Sequence, residues 1–216
     1  MSIFRKFRQW QFSKQRLEAF SDAVFAIVIT LLVLELKVPH IANAQDAHEV
    51  LHALREVAPV FFSWIISFFF VAIIWLHHHQ ILSMVSGSDY GTAWINTFLL
   101  FFICLLPFPT ALLGEYHHSA FIVMLWGLTV SATCTTLVWF YYYNTKYCLR
   151  DAYNAASVRK NVRLSVFAGP LLYLAGALLA WVSVYIAFVV YALVPILYLL
   201  PLDREKFRPS VAEEKV

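Results

Sequence analysis

Charge is scarce in this chain: 13% of its 216 residues are Asp, Glu, Lys or Arg, while 61% are hydrophobic. An ordinary soluble domain carries about 25% charged residues, so too few polar groups are present to cover a globular surface in water. The composition is that of an integral membrane protein. Glycine is also sparse, at six residues, which argues against a Gly-rich phosphate loop. Three cysteines, Cys104, Cys134 and Cys148, lie in or beside apolar segments without Cys-x-x-Cys spacing. An odd count with no pairing pattern gives neither a disulfide framework nor a zinc site. Neither His-Glu-x-x-His nor a Gly-x-Ser-x-Gly elbow occurs, so nothing marks an intramembrane enzyme. A Thr-Val-Gly-Tyr-Gly run is absent too, which removes the carbonyl filter of ordinary potassium channels. There is no internal repeat.

What is present is a series of long apolar runs. A spanning helix needs about 20 mostly apolar residues, and six segments qualify: Leu17–Leu36, Val57–Leu76, Ala93–Leu113, Ser119–Tyr142, Leu164–Ser183 and Val184–Leu202. The last two nearly touch, and a tight turn near Trp181–Tyr185 divides them, since one helix from Leu164 to Leu202 would be nearly twice the needed length. The first sixteen residues are polar and basic, and no small-residue cleavage site follows the first run. The first run therefore reads as a retained helix, not a signal peptide.

Between the first two runs, Ala44–Val57 spaces Val50, Leu51 and Leu54 at helical intervals, either a short amphipathic helix lying on the outer surface or a solvated loop. Pro39 separates it from the first run. Lysine and arginine set the orientation. Arg5, Lys6, Arg8, Lys14 and Arg16 precede the first run; Lys146, Arg150, Arg159, Lys160 and Arg163 follow the fourth; Arg204, Lys206, Arg208 and Lys215 end the chain. Fourteen of the sixteen basic residues thus fall on one side if both termini are cytoplasmic, leaving Lys37 and Arg55 outside. The positive-inside rule selects that topology. The domain reading is a basic cytoplasmic N-terminus (1–16), a six-helix membrane domain (17–202) and a cytoplasmic tail (203–216).

The entry to the first run concentrates chemistry. Arg16-Leu17-Glu18-Ala19-Phe20-Ser21-Asp22 leads without a break into Ala23–Leu34. Acidic groups cost roughly 2.5–3.5 kcal/mol at the centre of a bilayer and normally face other helices or water. Acidic side chains near a helix N-terminus also interact well with its dipole, which accounts for Glu18 but not for a Phe-Ser-Asp cluster at the mouth of an apolar helix. Further along, Ile27, Leu31 and Leu34 fall on one stripe, with Thr30 one step to the side. Copies of this helix around an axis would stack apolar rings with a hydroxyl ring between them, and such a throat gates by dewetting. Taken alone, such a stripe is lipid-facing or packing far more often than pore-lining.

Arg16, Phe20, Ser21 and Asp22, with the continuation Ala23-Val24-Phe25-Ala26-Ile27-Val28-Ile29-Thr30, resemble the signature of the transmembrane protein 175 family of potassium-permeable channels. Trp75-Leu76-His77-His78 and Leu105-Leu106-Pro107-Phe108-Pro109-Thr110 are similar to the same family, so the match runs through the first three helices in order. The resemblance implies an all-α membrane protein with six transmembrane helices per chain and the first helix lining a central pore. It places the constriction at Ile27, a threonine layer at Thr30 and a further apolar layer at Leu34; Leu31 joins them from the stripe. A single six-helix repeat implies a homotetramer, as in prokaryotic members, with weak preference for potassium. The family's polar motif joins the first helix to the second and third near the cytoplasmic end. Here its other half would come from His77 and from Trp94 or Asn96.

The expectation is therefore a tetrameric potassium-permeable channel of the prokaryotic plasma membrane, with no enzymatic activity, no cofactor, no metal site and no nucleic-acid partner. Its partners are copies of itself, potassium and other monovalent cations, and membrane lipids. The alternative is a proton-coupled secondary transporter using Asp22 and a histidine. Such a transporter calls for midplane charges and interrupted helices in paired halves, and apart from the third run the segments are continuous and uncharged at mid-depth. His77-His78-His79 does not suit a metal, because adjacent helical side chains point about 100° apart. One of the three fits the polar network, and the other two fit a wet helix end. Pro107 and Pro109 are expected to bend the third run. Glu35 reads as an acidic ring at the outer mouth or as a solvated helix end.

Overall fold

The computed structural model describes residues 11–150, 153 and 168–199. The elements in order are β1 (Gln11–Phe12), α1 (Lys14–Val33), α2 (Ala47–Ser83), β2 (Ser88–Asp89), α3 (Tyr90–Leu105), α4 (Pro107–Glu115), α5 (Ala120–Tyr147), α6 (Ala168–Leu179) and α7 (Val184–Leu199). The chain is an all-α membrane protein. Among the described residues, three helical stretches are long and apolar enough to cross a bilayer: Ala47–Ser83, Tyr90–Glu115 taken through Leu106, and Ala120–Tyr147. The fourth-to-fifth basic connection, the chain ends and the outermost residues of the last two runs lie largely outside the described residues.

Local chemistry sets the boundaries. Ser13 caps α1, its Oγ accepting from the Arg16 amide at 3.5 Å, so the helix begins three residues before the first apolar run. The separate surface helix expected over Ala44–Val57 is not formed. Asp46 caps α2 through the His48 amide at 2.9 Å, and Glu49 reaches back to the Asn43 amide at 2.9 Å, a reciprocal arrangement close to a capping box. From that start α2 runs unbroken through Pro59 to Ser83. A membrane helix tolerates proline because only one backbone bond is lost. Leu51 and Leu54 are half exposed while Ala53 is buried, so this part of α2 turns its small side chain inward.

The expected bend in the third run falls at Leu106, where the helical hydrogen-bond pattern is interrupted while the backbone keeps helical angles (φ −58°, ψ −37°). Pro107 opens α4, and the Leu106 amide bonds to the Ile103 carbonyl in a tighter i to i−3 turn at 3.2 Å. Pro107 and Pro109 supply no amides to the carbonyls of Ile103 and Leu105 four residues before them. A turn at residues 180–183 separates α6 from α7, where the sequence placed it.

The core joins all the helices. Phe25, Val28 and Leu32 of α1 share one buried cluster with Phe70 and Ile74 of α2, Leu99 and Ile103 of α3, and Trp126 and Val130 of α5. Two polar knots lie within it. Ser67 and Thr110 hydroxyls are 2.8 Å apart, and Trp126 Nε1 donates to both at 3.2 Å, tying α2, α4 and α5. The second knot belongs to the candidate site. At the basic end of α1, β1 pairs antiparallel with β2, and the turn between α2 and β2 is laced to the end of α5. The Ser86 amide donates to the Cys148 carbonyl at 2.9 Å, the Arg150 amide to the Met84 carbonyl at 3.1 Å, and Arg150 Nε to the Val85 carbonyl at 3.0 Å.

Candidate functional site: the first helix and its polar anchor

One face of α1 is inside the protein and the other is bare. Ser21, Phe25, Val28 and Leu32 recur at helical spacing and are buried. On the opposite side Phe20, Ile27, Leu31 and Leu34 are 59%, 57%, 44% and 69% exposed. Beside that stripe runs a second, of small side chains: Ala19, Ala23, Ala26 and Thr30, all exposed. The Thr30 hydroxyl donates back to the Ala26 and Ile27 carbonyls, at 3.1 and 2.8 Å, so its oxygen lone pairs face away from the helix.

The buried side is held by a directed relay. Ser21 Oγ donates to the Leu17 carbonyl at 2.8 Å and accepts from Asn96 Nδ2 at 2.9 Å. Asn96 Oδ1 accepts from His78 Nε2 at 2.8 Å. Because an amide oxygen only accepts, the proton sits on Nε2, and every donor points the same way, from α2 through α3 to α1. Ser21, His78 and Asn96 are each at most 1% exposed. The His78 ring is stacked on Phe140, with centroids 5.1 Å apart, and tilted against Phe25 at 5.6 Å. A fully satisfied polar network in a low-dielectric interior fixes side-chain and helix register.

A second, more exposed tie runs beside it. Trp75 Nε1 donates to Asp22 Oδ1 at 2.8 Å. Asp22 therefore takes its partner from α2, not from Arg16, whose guanidinium is exposed and makes no ion pair among the described residues. Lys14 bridges to Glu18 at 3.5 Å and to the Val85 carbonyl at 3.4 Å, fastening the start of α1 to the turn after α2.

The structure redistributes the residues expected in the network. Of Trp94 and Asn96, it uses Asn96; Trp94 is 49% exposed and lies between Tyr90 and Phe98 in an aromatic row. His77 is displaced by His78. The His77 ring lies against its own helix, Nδ1 to the Ile73 carbonyl at 2.8 Å, because one step along a helix turns a side chain by about 100°. His79 is exposed, over the Trp75 ring at 6.1 Å. Trp75 was not singled out as a partner, although its spacing of three from His78 puts both on the face toward α1. Glu35 lines a cavity with Lys37 and Glu115 at the far end of α1.

Comparisons with known proteins agree with the motifs. A family model described as the endosomal/lysosomal potassium channel TMEM175 matches residues 16–107. A potassium channel from Streptomyces collinus is 32% identical over 189 residues, 85% of this chain and 90% of the relative. Another from Chamaesiphon minutus is 43% identical over 101 residues, 47% of this chain and 49% of the relative. The crystal structure of a lysosomal potassium-selective channel TMEM175 homolog from Chamaesiphon minutus superposes with a TM-score of 0.74 at 30% identity, covering 86% of this chain and 95% of that one. With its signature on α1, its polar anchor between α1, α2 and α3, and this extent of similarity, the chain belongs to the TMEM175 family.

Proposed function

We propose that the chain is one protomer of a homotetrameric, potassium-permeable channel in a prokaryotic plasma membrane. In this reading six helices cross the bilayer within residues 17–202, both termini are cytoplasmic, and four copies of α1 surround the ion path. The observation that carries it is the bare side of α1, which bears two stripes of different size. Small residues let neighbouring membrane helices approach closely, so the Ala19–Ala23–Ala26–Thr30 stripe suits contact with an adjacent copy. The large stripe then turns toward the axis. Ile27 forms the narrowest ring, with Leu31 and Leu34 as further apolar rings and Thr30 supplying hydroxyl oxygens nearby. A throat of this kind resists ions by excluding water. Preference for potassium over sodium is weak, because the wall has no carbonyl cage to replace the ion's hydration shell. Ser21 and Asp22, with Trp75, His78 and Asn96, hold the pore helix and do not touch the ion, while Arg16 and Phe20, exposed on the single protomer, take their part in the motif through neighbouring copies. The chain needs no cofactor for this task.

The test is a planar-bilayer recording with potassium on one side and sodium on the other. A steady current reversing on the potassium side of zero is the expected result. Flux that requires a proton gradient and saturates at transporter rates would favour coupled transport through Asp22, and absence of current would remove the channel reading.

A further inference from the structure

A cavity lies at the far end of α1, beside the residues that follow the helix. It measures about 290 Å³ and lies between the C-terminal end of α1, the first apolar turns of α2 and α4. Its walls are apolar, formed by Leu36, Val57, Val60, Phe61, Phe108 and Leu112, and its rim carries Glu35, Lys37 and Glu115. All three elements change from charged to apolar composition at this level: α1 at Leu34–Glu35, α2 at Glu56–Val57 and α4 at Leu113–Glu115. That change marks the boundary between headgroups and hydrocarbon. Phe61 and Phe108 are 50% and 62% exposed, so the cavity opens sideways on the protomer, and in the channel reading that side meets acyl chains.

We propose that this cavity binds the headgroup of an outer-leaflet phosphatidylethanolamine, an inference that rests on the membrane orientation of the channel reading. The rim presents two carboxylates and one ammonium. Lys37 and Glu115 stand 3.8 Å apart, with 81% and 57% of their side chains exposed, which is an ion pair beyond hydrogen-bond length. A zwitterionic headgroup inserts into such a pair: its phosphate meets Lys37, and its ammonium meets Glu115 and Glu35. The excess carboxylate disfavours an anionic headgroup. A choline headgroup matches the charges but brings no N–H donors, whereas a primary ammonium brings three. The acyl chains then lie along Phe61 and Phe108. Because Glu35 and Lys37 follow Leu34 directly, the bound headgroup braces the end of the pore helix.

Native mass spectrometry of the full-length protein in detergent tests the assignment, with equimolar phosphatidylethanolamine, phosphatidylcholine and phosphatidylglycerol of matched chains. The wild type is expected to retain phosphatidylethanolamine about five-fold over each of the others, the scale of a partly exposed ionic contact. The Lys37→Gln/Glu115→Gln variant is expected to lose that preference while keeping its helical content. Equal retention of the three lipids by the wild type overturns the proposal, and so does a preference that survives in the variant. No lipid on the intact oligomer, as when a neighbouring copy fills the cavity, also overturns it. Should the variant not fold, the three-lipid comparison on the wild type decides alone. Potassium flux from liposomes lacking phosphatidylethanolamine separates the two readings: flux without lipid preference ends only the lipid site, and a protein silent in every lipid ends the channel.

Discussion

Asn96 occupies the middle of the relay and is the side chain with the most to lose. Its replacement by Ala leaves His78 Nε2–H without an acceptor and Ser21 Oγ without a donor in a buried place, where an unmet polar group costs about 1–3 kcal/mol. Ser21→Ala removes only one acceptor, because the Leu17 carbonyl that Ser21 caps already belongs to the α1 hydrogen-bond ladder. Asn96→Ala is therefore expected to lower the thermal midpoint in detergent by clearly more than Ser21→Ala; equal losses would show that the relay is not acting as a unit. Ile27 behaves oppositely. It is 57% exposed and touches little of its own protomer, so Ile27→Asn is expected to leave the melting profile within about 0.5 kcal/mol of wild type. In the channel it wets the throat, raising flux and eroding potassium preference. Unchanged currents would take Ile27 out of the constriction.

At the scale of elements, α5, α6 and α7 meet at a single glycine. A Cβ on Gly127 would run into the Tyr191 hydroxyl and lie 3.0 Å from Ala177 Cβ. Tyr191 in turn donates to the Val123 carbonyl at 3.0 Å and packs on Trp126 with centroids 4.8 Å apart. Gly127→Val is expected to drive Tyr191 off this seat and destabilise the protein by about 1–3 kcal/mol through overpacking, read as a lower melting midpoint and altered near-ultraviolet dichroism from Trp126. A melting curve like wild type would show that the C-terminal hairpin repacks freely. Much at this scale was legible in the residues. The prolines of the third run mark where its hydrogen-bond pattern is interrupted, the turn between α6 and α7 fell where length demanded, and the α1 motif pointed to contacts with α2 and α3. The rest was not legible, for physical reasons. Pro59 stands inside a continuous helix whereas Pro107 stands at the start of one, and nothing in the local residue type separates the two. Among three successive histidines, only the rotation of α2 against α3 decides which one faces inward. Trp75 as the partner of Asp22 depends on the same rotation.

For the whole molecule, the distribution of exposed side chains separates two kinds of apolar surface. Aromatic rows such as Trp94, Phe98, Phe101 and Phe108 suit lipid, where bulk costs nothing. The small-and-large pairing on α1 suits protein against protein. Single cysteines at Ala23 or Ala26, on a background without Cys104, Cys134 and Cys148, are accordingly expected to form oxidised dimers within the membrane, whereas a cysteine at Phe101 is not. Efficient cross-linking at Phe101 with none at Ala23 and Ala26 would turn the assembly inside out. The overall class and the family were readable from composition and from motifs on the first three helices, while the cap at Ser13, the merged α2 and the identity of the relay histidine needed coordinates.

The strand pairing at the entry of α1 has a mechanical side. Gln11 and Phe12 are stitched to Ser88 and Asp89 immediately before the helix begins, and Lys14, its first residue, is tied to Val85. From Ser13 to Leu34 is twenty-one residues, or about 30 Å, and α1 is held at both ends of that length, by the strand pairing at its base and by the burial of Leu32 near its tip, so a tilt of the helix has to carry its neighbours with it.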